Sequence, residues 1–396
     1  MLAIIGILAF VFALLFSVML HELGHYLFAK KFGMKVTEFF LGFGKRIWSF
    51  TRGETEFGVK AIPAGGYCRI VGMSAREELA AEDSERAFYK ATVPHRLVVL
   101  GAGSVLHFVL GFVLLFSLFA VVGTAAVTPN VESVASCYST INGKCPASAP
   151  VLPAKAAGIL PGDRIIAINS KEVTHWSKDV LAIRNSPGTP VTLTVLRGSE
   201  KLNFTLTPTP QEVGGKTVGI IGVINSLGML RQNPYDSTIH AWQLGRELFS
   251  SSITSLASLP SKIPALVSET FGGKKRDPQG LVGVVGVAQA SAQTVSDSKL
   301  AWNERIATFI MIIASLNIFV GIFNLLPLLP LDGGHMAVAI IDGARNIWAR
   351  IRRNPAPRPI DVEALTPLTV VVFIFLAALS LLLLAADIFN PVHFNL

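Results

Sequence analysis

Charge is scarce in this chain: of its 396 residues only 15% are Asp, Glu, Lys or Arg, where a soluble domain carries about 25%. Cysteine is scarcer still, with three residues, too few for a scaffold held together by disulfides. The deficit of charge is concentrated in four uncharged stretches, residues 1–20, 97–127, 306–331 and 365–386. Each is long enough to cross a hydrocarbon core roughly 30 Å thick. That pattern excludes both a wholly soluble enzyme and a disordered chain. The segment between the second and third stretches is long enough for one or two soluble domains.

Cations outnumber acids by 34 to 26, a net charge of +8. They form no single patch interleaved with aromatics, so no nucleic-acid partner is expected. They flank the apolar stretches instead, which makes the lipid bilayer the expected surroundings. Residues 26–96 hold 12 Lys or Arg against 8 Asp or Glu, and Arg345, Arg350, Arg352, Arg353 and Arg358 follow the third stretch. Residues 124–143 and 387–396 have no Lys or Arg. The positive-inside rule then puts the first and third connections in the cytoplasm, both termini outside, and residues 128–304 on the extracytoplasmic side. Spans one and three run in the same direction and end at the same face. The first stretch has neither the basic start nor the cleavage site of a signal peptide and reads as a retained helix.

The first span runs into His21-Glu22-Leu23-Gly24-His25. Two histidines four apart on a helix project from one face, as two imidazole ligands to one ion require. Glu22 lies beside that face, where the zinc-hydrolase pattern uses a carboxylate to move a proton rather than to bind metal. Ionisable residues continuing a 20-residue uncharged span are expensive and suggest function by default. The alternative is a pair of helix-end histidines facing headgroups, with Glu22 reaching to the interface.

A catalytic zinc site takes three protein ligands and leaves one position open. The end of span three supplies Asn324-Leu325-Leu326-Pro327-Leu328-Leu329-Pro330-Leu331-Asp332-Gly333-Gly334-His335. Two prolines and a glycine pair predict non-helical backbone there, tolerated at membrane depth only where it is buried in protein or lines a cavity. Asp332 and His335 both qualify as the third ligand. A turn before the glycine pair can aim the carboxylate back at the helix, which favours Asp332.

These two elements together resemble the paired signature of the site-2 proteases, intramembrane zinc metalloproteases, in their bacterial RseP-like branch. The first is similar to the family's HExxH and the second to its Asn-x-x-Pro-x-x-x-x-Asp-Gly segment. The resemblance implies Zn2+ held by His21, His25 and Asp332, Glu22 as the catalytic acid/base, and Asn324 as a substrate-contacting residue. Phe39 to Lys45 resembles the family's Gly-Phe-Gly segment. Glu56 to Gly72, with Ile62-Pro63-Ala64-Gly65-Gly66-Tyr67, resembles its membrane-re-entrant β-hairpin and implies Gly65 and Gly66 as substrate-binding. One departure is visible: Ala102-Gly103-Ser104-Val105-Leu106-His107 stands where the family commonly has Ala-Gly-Pro-x-x-Asn. His107 is either a further metal or proton-relay residue or a hydrogen-bonded interior histidine.

Without the family, residues 36–41, 46–50 and 57–62 alternate as strands, with Arg52-Gly53 as a turn. A sheet edge near the metal would offer an unwound substrate replacement hydrogen bonds by strand addition, and the Asn324 amide would serve the same purpose. The alternative is a hairpin lying on the headgroups. Further on, the run from Ala157 to Asn169, with Pro161-Gly162-Asp163, and the strands expected at 191–196 and 202–206 resemble a PDZ domain over residues 150–210. Such domains bind extended peptides on a sheet edge; here a spacer or gate without a peptide ligand is the alternative. A single unit of this kind is expected. Gln279 to Ala288 resembles the apolar Gly-rich stretch before the family's third span. Cys137 and Cys145, close together on the oxidising side, are expected to pair, and Cys68 to stay free.

The fold class expected is a polytopic α-helical membrane protein with four transmembrane helices, a membrane-associated β-hairpin and an extracytoplasmic PDZ-like α/β domain. Its divisions fall at 1–34 (first span), 35–94 (hairpin region), 95–127 (second span), 128–149 (linker), 150–210 (PDZ-like), 211–304 (extracytoplasmic helical region), 305–335 (third span), 336–363 (basic loop), 364–388 (fourth span) and 389–396 (tail). The resemblance implies a multi-pass protein of the bacterial inner membrane with its active site towards the cytoplasm. It would cleave transmembrane segments of single-span proteins, namely trimmed anti-sigma factors or remnant signal peptides. Two rivals come from other classes. A membrane-anchored adaptor would use a closed four-ligand zinc site including His335. A metal transporter would carry ligands across the whole membrane depth, whereas here they cluster at one face.

Overall fold

The structure is a computed structural model. It describes all residues except 74–78, 139–144, 147–149, 278–279, 356, 358–359 and 393–396, and the side chains of 81 and 363. Gln279, Arg358, much of the 128–149 segment and the last four residues of the tail therefore lie outside the described residues. The chain divides into two compact units, one of Met1–Val122 with Gln232–Leu396 and one of Gly123–Arg231.

Four helices of the first unit are long and apolar enough to cross a membrane: Leu2–Lys31, Val93–Val122, Trp302–Asn324 and Thr366–Phe389. Helix α1 (Leu2–Lys31) has 30 residues and is about 45 Å long. It stops at Gly33, whose φ of +78° suits a residue without Cβ. Gly33 and Met34 donate their N–H groups back to Lys30 and Ala29. After α1 come β1 (Val36–Arg52) and β2 (Thr55–Ile70), paired antiparallel. Next are α2 (Val93–Ser117), with a proline in its first turn, and a short π-helical turn over Leu118–Val122.

The hairpin is more folded than its two-strand outline. The register pairs residues 38–41 of β1 with residues 56–59 of β2 on one side and with 66–69 on the other, while 46–52 pair with 55–60. β1 bends at Gly42 and Gly44, both in the left-handed region with φ of +86° and +84°, which glycine adopts without strain. The segments expected at 36–41, 46–50 and 57–62 lie within β1 and β2. The expected set omits residues 66–70, an edge segment whose outer side faces no partner strand among the described residues.

The second unit carries a sheet in which β3 (Thr124–Val134), β4 (Arg164–Ile168), β5 (Val191–Arg197) and β6 (Glu200–Leu206) are joined by β9 (Val223–Leu230), in the order β9-β3-β4-β5-β6. Residues Lys171–Glu172 add a short strand to β4. β7 (Thr209–Val213) and β8 (Lys216–Ile220) form a separate hairpin. Val131, Ile165, Leu193, Val195 and Trp176 are among its buried core residues. The fold thus extends beyond 150–210 on both sides: β3 begins in the last four residues read as the second span and runs on into the stretch read as linker, and β9 lies in the stretch read as helical. They are each other's partners, Thr124 facing Leu230 and Val134 facing Val223, and pairing over that sequence distance leaves no local signal. Cys137 and Cys145 are bonded in this unit. Cys68, in β2, is free.

Back in the first unit follow α3 (Pro234–Ala257), α4 (Leu259–Phe271), α5 (Val284–Ser296), α6 (Trp302–Asn324), α7 (Asp332–Ile351) and α8 (Thr366–Phe389). Small residues let these helices approach. A Cβ on Gly6 of α1 would stand 2.8 Å from the Ser291 carbonyl of α5, and one on Gly24 would stand 2.7 Å from the Ala102 carbonyl of α2. Close backbone approach of this kind is the usual basis of helix association in membranes.

Candidate metal centre

Helix α1, which carries both histidines, packs closely on α2. Gly24 of α1 lies against Ala102 and Gly103 of α2, and a Cβ on Gly103 would stand 2.5 Å from the His21 ring. His21 and His25, on one face of α1, are both buried. The His25 Nδ1 lies 2.8 Å from the Val99 carbonyl of α2. A carbonyl only accepts, so Nδ1 carries the proton and Nε2 keeps its lone pair for the site.

Asp332 comes from a distant part of the chain. α6 ends at Asn324, and Pro327 and Pro330 separate it from α7, which starts at Asp332. Gly333 and Gly334 are helical, in contrast to the irregular backbone expected there. Their glycine identity answers to crowding: a Cβ on Gly334 would stand 2.5 Å from the Leu329 backbone nitrogen.

Asp332 Oδ2 lies 3.1 Å from His21 Nε2 and 3.3 Å from His25 Nε2, and the two Nε2 atoms are 3.1 Å apart. Tetrahedral coordination at about 2.0–2.1 Å implies ligand atoms roughly 3.3–3.4 Å from one another. The three atoms are therefore spaced close to the edge length of a zinc coordination tetrahedron and fit that ion. Asp332 Oδ2 is also buried with no hydrogen-bond donor, an orphaned acceptor that a cation would satisfy. Among the described residues these three form the one group of His, Cys and acidic side chains arranged to hold a metal ion.

Glu22 is half-buried one position on from His21. It lies beside both imidazoles and Asp332 and interacts with the Cys68 backbone N–H of β2. Gly66 of β2 abuts it, since a Cβ there would stand 3.2 Å from Glu22 Cγ and 2.9 Å from the Met19 sulfur. Gly65, next to it, lies against the Phe43 ring. The hairpin edge thus reaches the acid of the HExxH helix. Asn324 is half-buried at the end of α6, and nothing joins it to the three-residue cluster. His335 sits one turn into α7 and lines a small cavity with Arg96, Asp342 and Ile360. His107 packs its ring 5.1 Å from that of His21 and bonds to Asn317 of α6 at 2.8 Å.

The Val99 carbonyl, the Cys68 N–H and Asn317 were not expected as partners of the site. Only Asn317 left a visible signal, as a polar residue inside an uncharged span. A second buried knot was also missed. Asp387 near the end of α8 pairs with Arg276 at 3.3 Å and accepts the Gly286 N–H of α5 at 2.8 Å.

A membrane-embedded helix bundle with a His-Glu-x-x-His helix facing an aspartate defines a membrane metalloprotease, and the family comparison agrees. The model of peptidase family M50 matches residues 9–357, and the chain belongs to this family, the site-2 proteases. It is similar to zinc metalloprotease Rip1 of Mycobacterium tuberculosis, 35% identical over 408 residues covering 99% of each chain. It is similar to Rip1 of Mycolicibacterium smegmatis at 36% over 408 residues, covering 98% of each. The regulator of sigma-E protease RseP of Salmonella typhimurium is 25% identical over 423 residues, covering 84% of this chain and 90% of that one. The chain is accordingly a zinc metalloprotease of multi-pass membrane type.

Proposed function

We propose that this protein hydrolyses peptide bonds within or beside the transmembrane segments of single-span membrane proteins, with Zn2+ held by His21, His25 and Asp332. The observation that carries this is the 3.1–3.3 Å triangle of two imidazole nitrogens and one carboxylate oxygen with Glu22 alongside. Zinc bound there supplies a polarised carbonyl and a water acidified towards a pKa of roughly 7. Glu22 takes the proton of the attacking water and returns it to the leaving amine. The edge at residues 66–70 receives the unwound substrate as an added strand. Gly66 keeps that edge free of a side chain next to Glu22, and the family's Asn-x-x-Pro segment supports Asn324 as a further contact to the substrate backbone.

The proposed setting is the bacterial inner membrane, with the metal centre towards the cytoplasm and the second unit, a PDZ-like domain, outside. Cation-rich connections after spans one and three support that orientation. Anti-sigma factors already trimmed by another protease are the proposed substrates, with remnant signal peptides as a second group. A relative named as a regulator of sigma-E protease supports the first. The test is cleavage of a single-span reporter with a short outer domain by wild type and Glu22→Gln at equal zinc content. Wild type is expected to cleave at least about 10²-fold faster. Equal rates, or no cleavage of any single-span reporter by zinc-loaded wild type, would overturn the reading.

A further inference from the structure

Two buried polar atoms beside the metal centre have no partner, and they are of opposite kinds. Asn317 Nδ2 donates to the Ile313 carbonyl at 2.8 Å, which fixes the amide so that its oxygen faces His107 Nδ1 at 2.8 Å. An amide oxygen only accepts, so His107 Nδ1 carries the proton and the neutral ring holds a lone pair on Nε2. That Nε2 is buried and unpaired, in a side chain only 2% exposed. His21 has the complementary defect. Its Nε2 is the atom turned to His25 and Asp332, and its Nδ1 is buried and unpaired. When Nε2 ligates a metal, the neutral ring carries its proton on Nδ1, a buried donor in need of an acceptor. The two rings are neighbours, with centroids 5.1 Å apart and planes tilted by 39°.

We propose that His107 is the positioning residue for His21. Its Nε2 receives the His21 Nδ1–H through one bridging water, and Asn317 locks His107 in the accepting tautomer. The relay runs from His21 through His107 and Asn317 to the Ile313 carbonyl, tying the metal helix α1 to α2 and α6. It parallels the anchoring of His25 Nδ1 on the Val99 carbonyl, so each histidine ligand has its outer nitrogen fixed by α2. Outer partners of this kind set ring orientation and raise ligand basicity, and their loss weakens metal binding by about 10–100-fold. His107 is not itself a ligand, because it stands outside the group whose ligand atoms lie within 4.8 Å of one another. The inference rests on the reading of His21 as a ligand.

The test measures zinc affinity of the detergent-solubilised full chain by competition with a chelator, together with the visible spectrum of the cobalt-substituted protein. His107→Leu removes the acceptor, His107→Gln returns one near the Nε2 position, Asn317→Leu frees the tautomer, and His21→Ala removes the ligand. Expected are a loss of about 10–100-fold for His107→Leu with shifted cobalt bands, recovery of most of it in His107→Gln, and an intermediate loss for Asn317→Leu. Wild-type affinity in His107→Leu would overturn the relay, as would equal losses in the Leu and Gln variants, which would mark a purely packing role. If His107→Leu does not fold, the Gln and Asn317→Leu pair decides, and wild-type affinity in Asn317→Leu counts against the proposal. Undiminished zinc binding by His21→Ala would instead remove the ligand assignment beneath it.

Discussion

At Gly103 the fit between two helices and the fit of a ligand are the same fact. The 2.5 Å that a Cβ there would leave to His21 Nδ1 and Cε1 is below any tolerable contact, so Gly103→Ala must move the imidazole or separate α1 from α2. Overpacking of this sort costs about 1–3 kcal/mol. We expect Gly103→Ala to lower zinc retention and cleavage together, while Gly101→Ala, where the nearest atom would be 3.8 Å away, changes neither; inductively coupled plasma analysis of the purified proteins checks this. In the second unit, Arg197 holds the buried Asp163 by two hydrogen bonds of 2.8 Å, and the Leu160 N–H adds a third at 2.8 Å. The Arg197 guanidinium keeps the Asp163 carboxyl below the ordinary aspartate value, against the opposing effect of burial. A depressed carboxylate stabilises the fold fully above the ordinary range near 3.9 and loses that contribution as pH falls through its lower folded value. Acid unfolding of this unit, followed by Trp176 fluorescence, should therefore begin at higher pH in Asp163→Asn. Residues of the HExxH pattern were legible because helical periodicity alone puts His21 and His25 on one face. Asp163 and Arg197 were not, since 34 residues of chain separate a pair that only β4 and β5 bring together.

Among the elements, α5 is short and depends on its neighbours. Thirteen residues rarely hold a helix alone, and this one is fastened at its start by Asp387 of α8, which receives the Gly286 N–H at 2.8 Å and pairs with the buried Arg276. Arg276 also donates to the Leu281 carbonyl. It pairs with Glu269 as well, at 3.6 Å, so loss of Asp387 leaves the guanidinium with one carboxylate and the Gly286 N–H without its acceptor, at a cost of about 1–3 kcal/mol. Asp387→Ala is expected to lower the thermal midpoint in detergent by several degrees, and Asp387→Asn, which keeps an acceptor for the Gly286 N–H, should lower it by less. The four long apolar helices were readable from composition, because a bilayer demands length and low polarity and little else. Asp387 was hidden by the same logic: it stands at the end of an apolar run, where an acid reads as the boundary. The edge at residues 66–70 was legible only through the resemblance of residues 56–72 to the family's hairpin, because Pro63, Gly65 and Gly66 break the alternation just before it.

On the scale of the whole molecule, the chain is arranged so that one unit is inserted into the other. The inserted unit enters on β3 and leaves on β9, and its first and last paired residues, Thr124 and Leu230, face each other across the ladder. Its host is closed behind it, since the Gln232 N–H donates to the Phe119 carbonyl at 3.0 Å. Excision at this point leaves a gap that a few flexible residues can bridge, with little added cost in loop closure. Replacing residues 124–230 by a short Gly-Ser linker should therefore leave the first unit folded and its zinc affinity unchanged, because every proposed ligand and outer partner lies in that unit. If the inserted unit acts as a gate, the shortened protein will cleave a full-length single-span substrate and its trimmed form at similar rates, where wild type prefers the trimmed one. Retained preference in the shortened protein would assign selection to the first unit itself, and loss of cleavage of both would mean that the inserted unit delivers substrate rather than excluding it. Paired rate measurements on the two substrates, normalised to zinc content, separate these three outcomes.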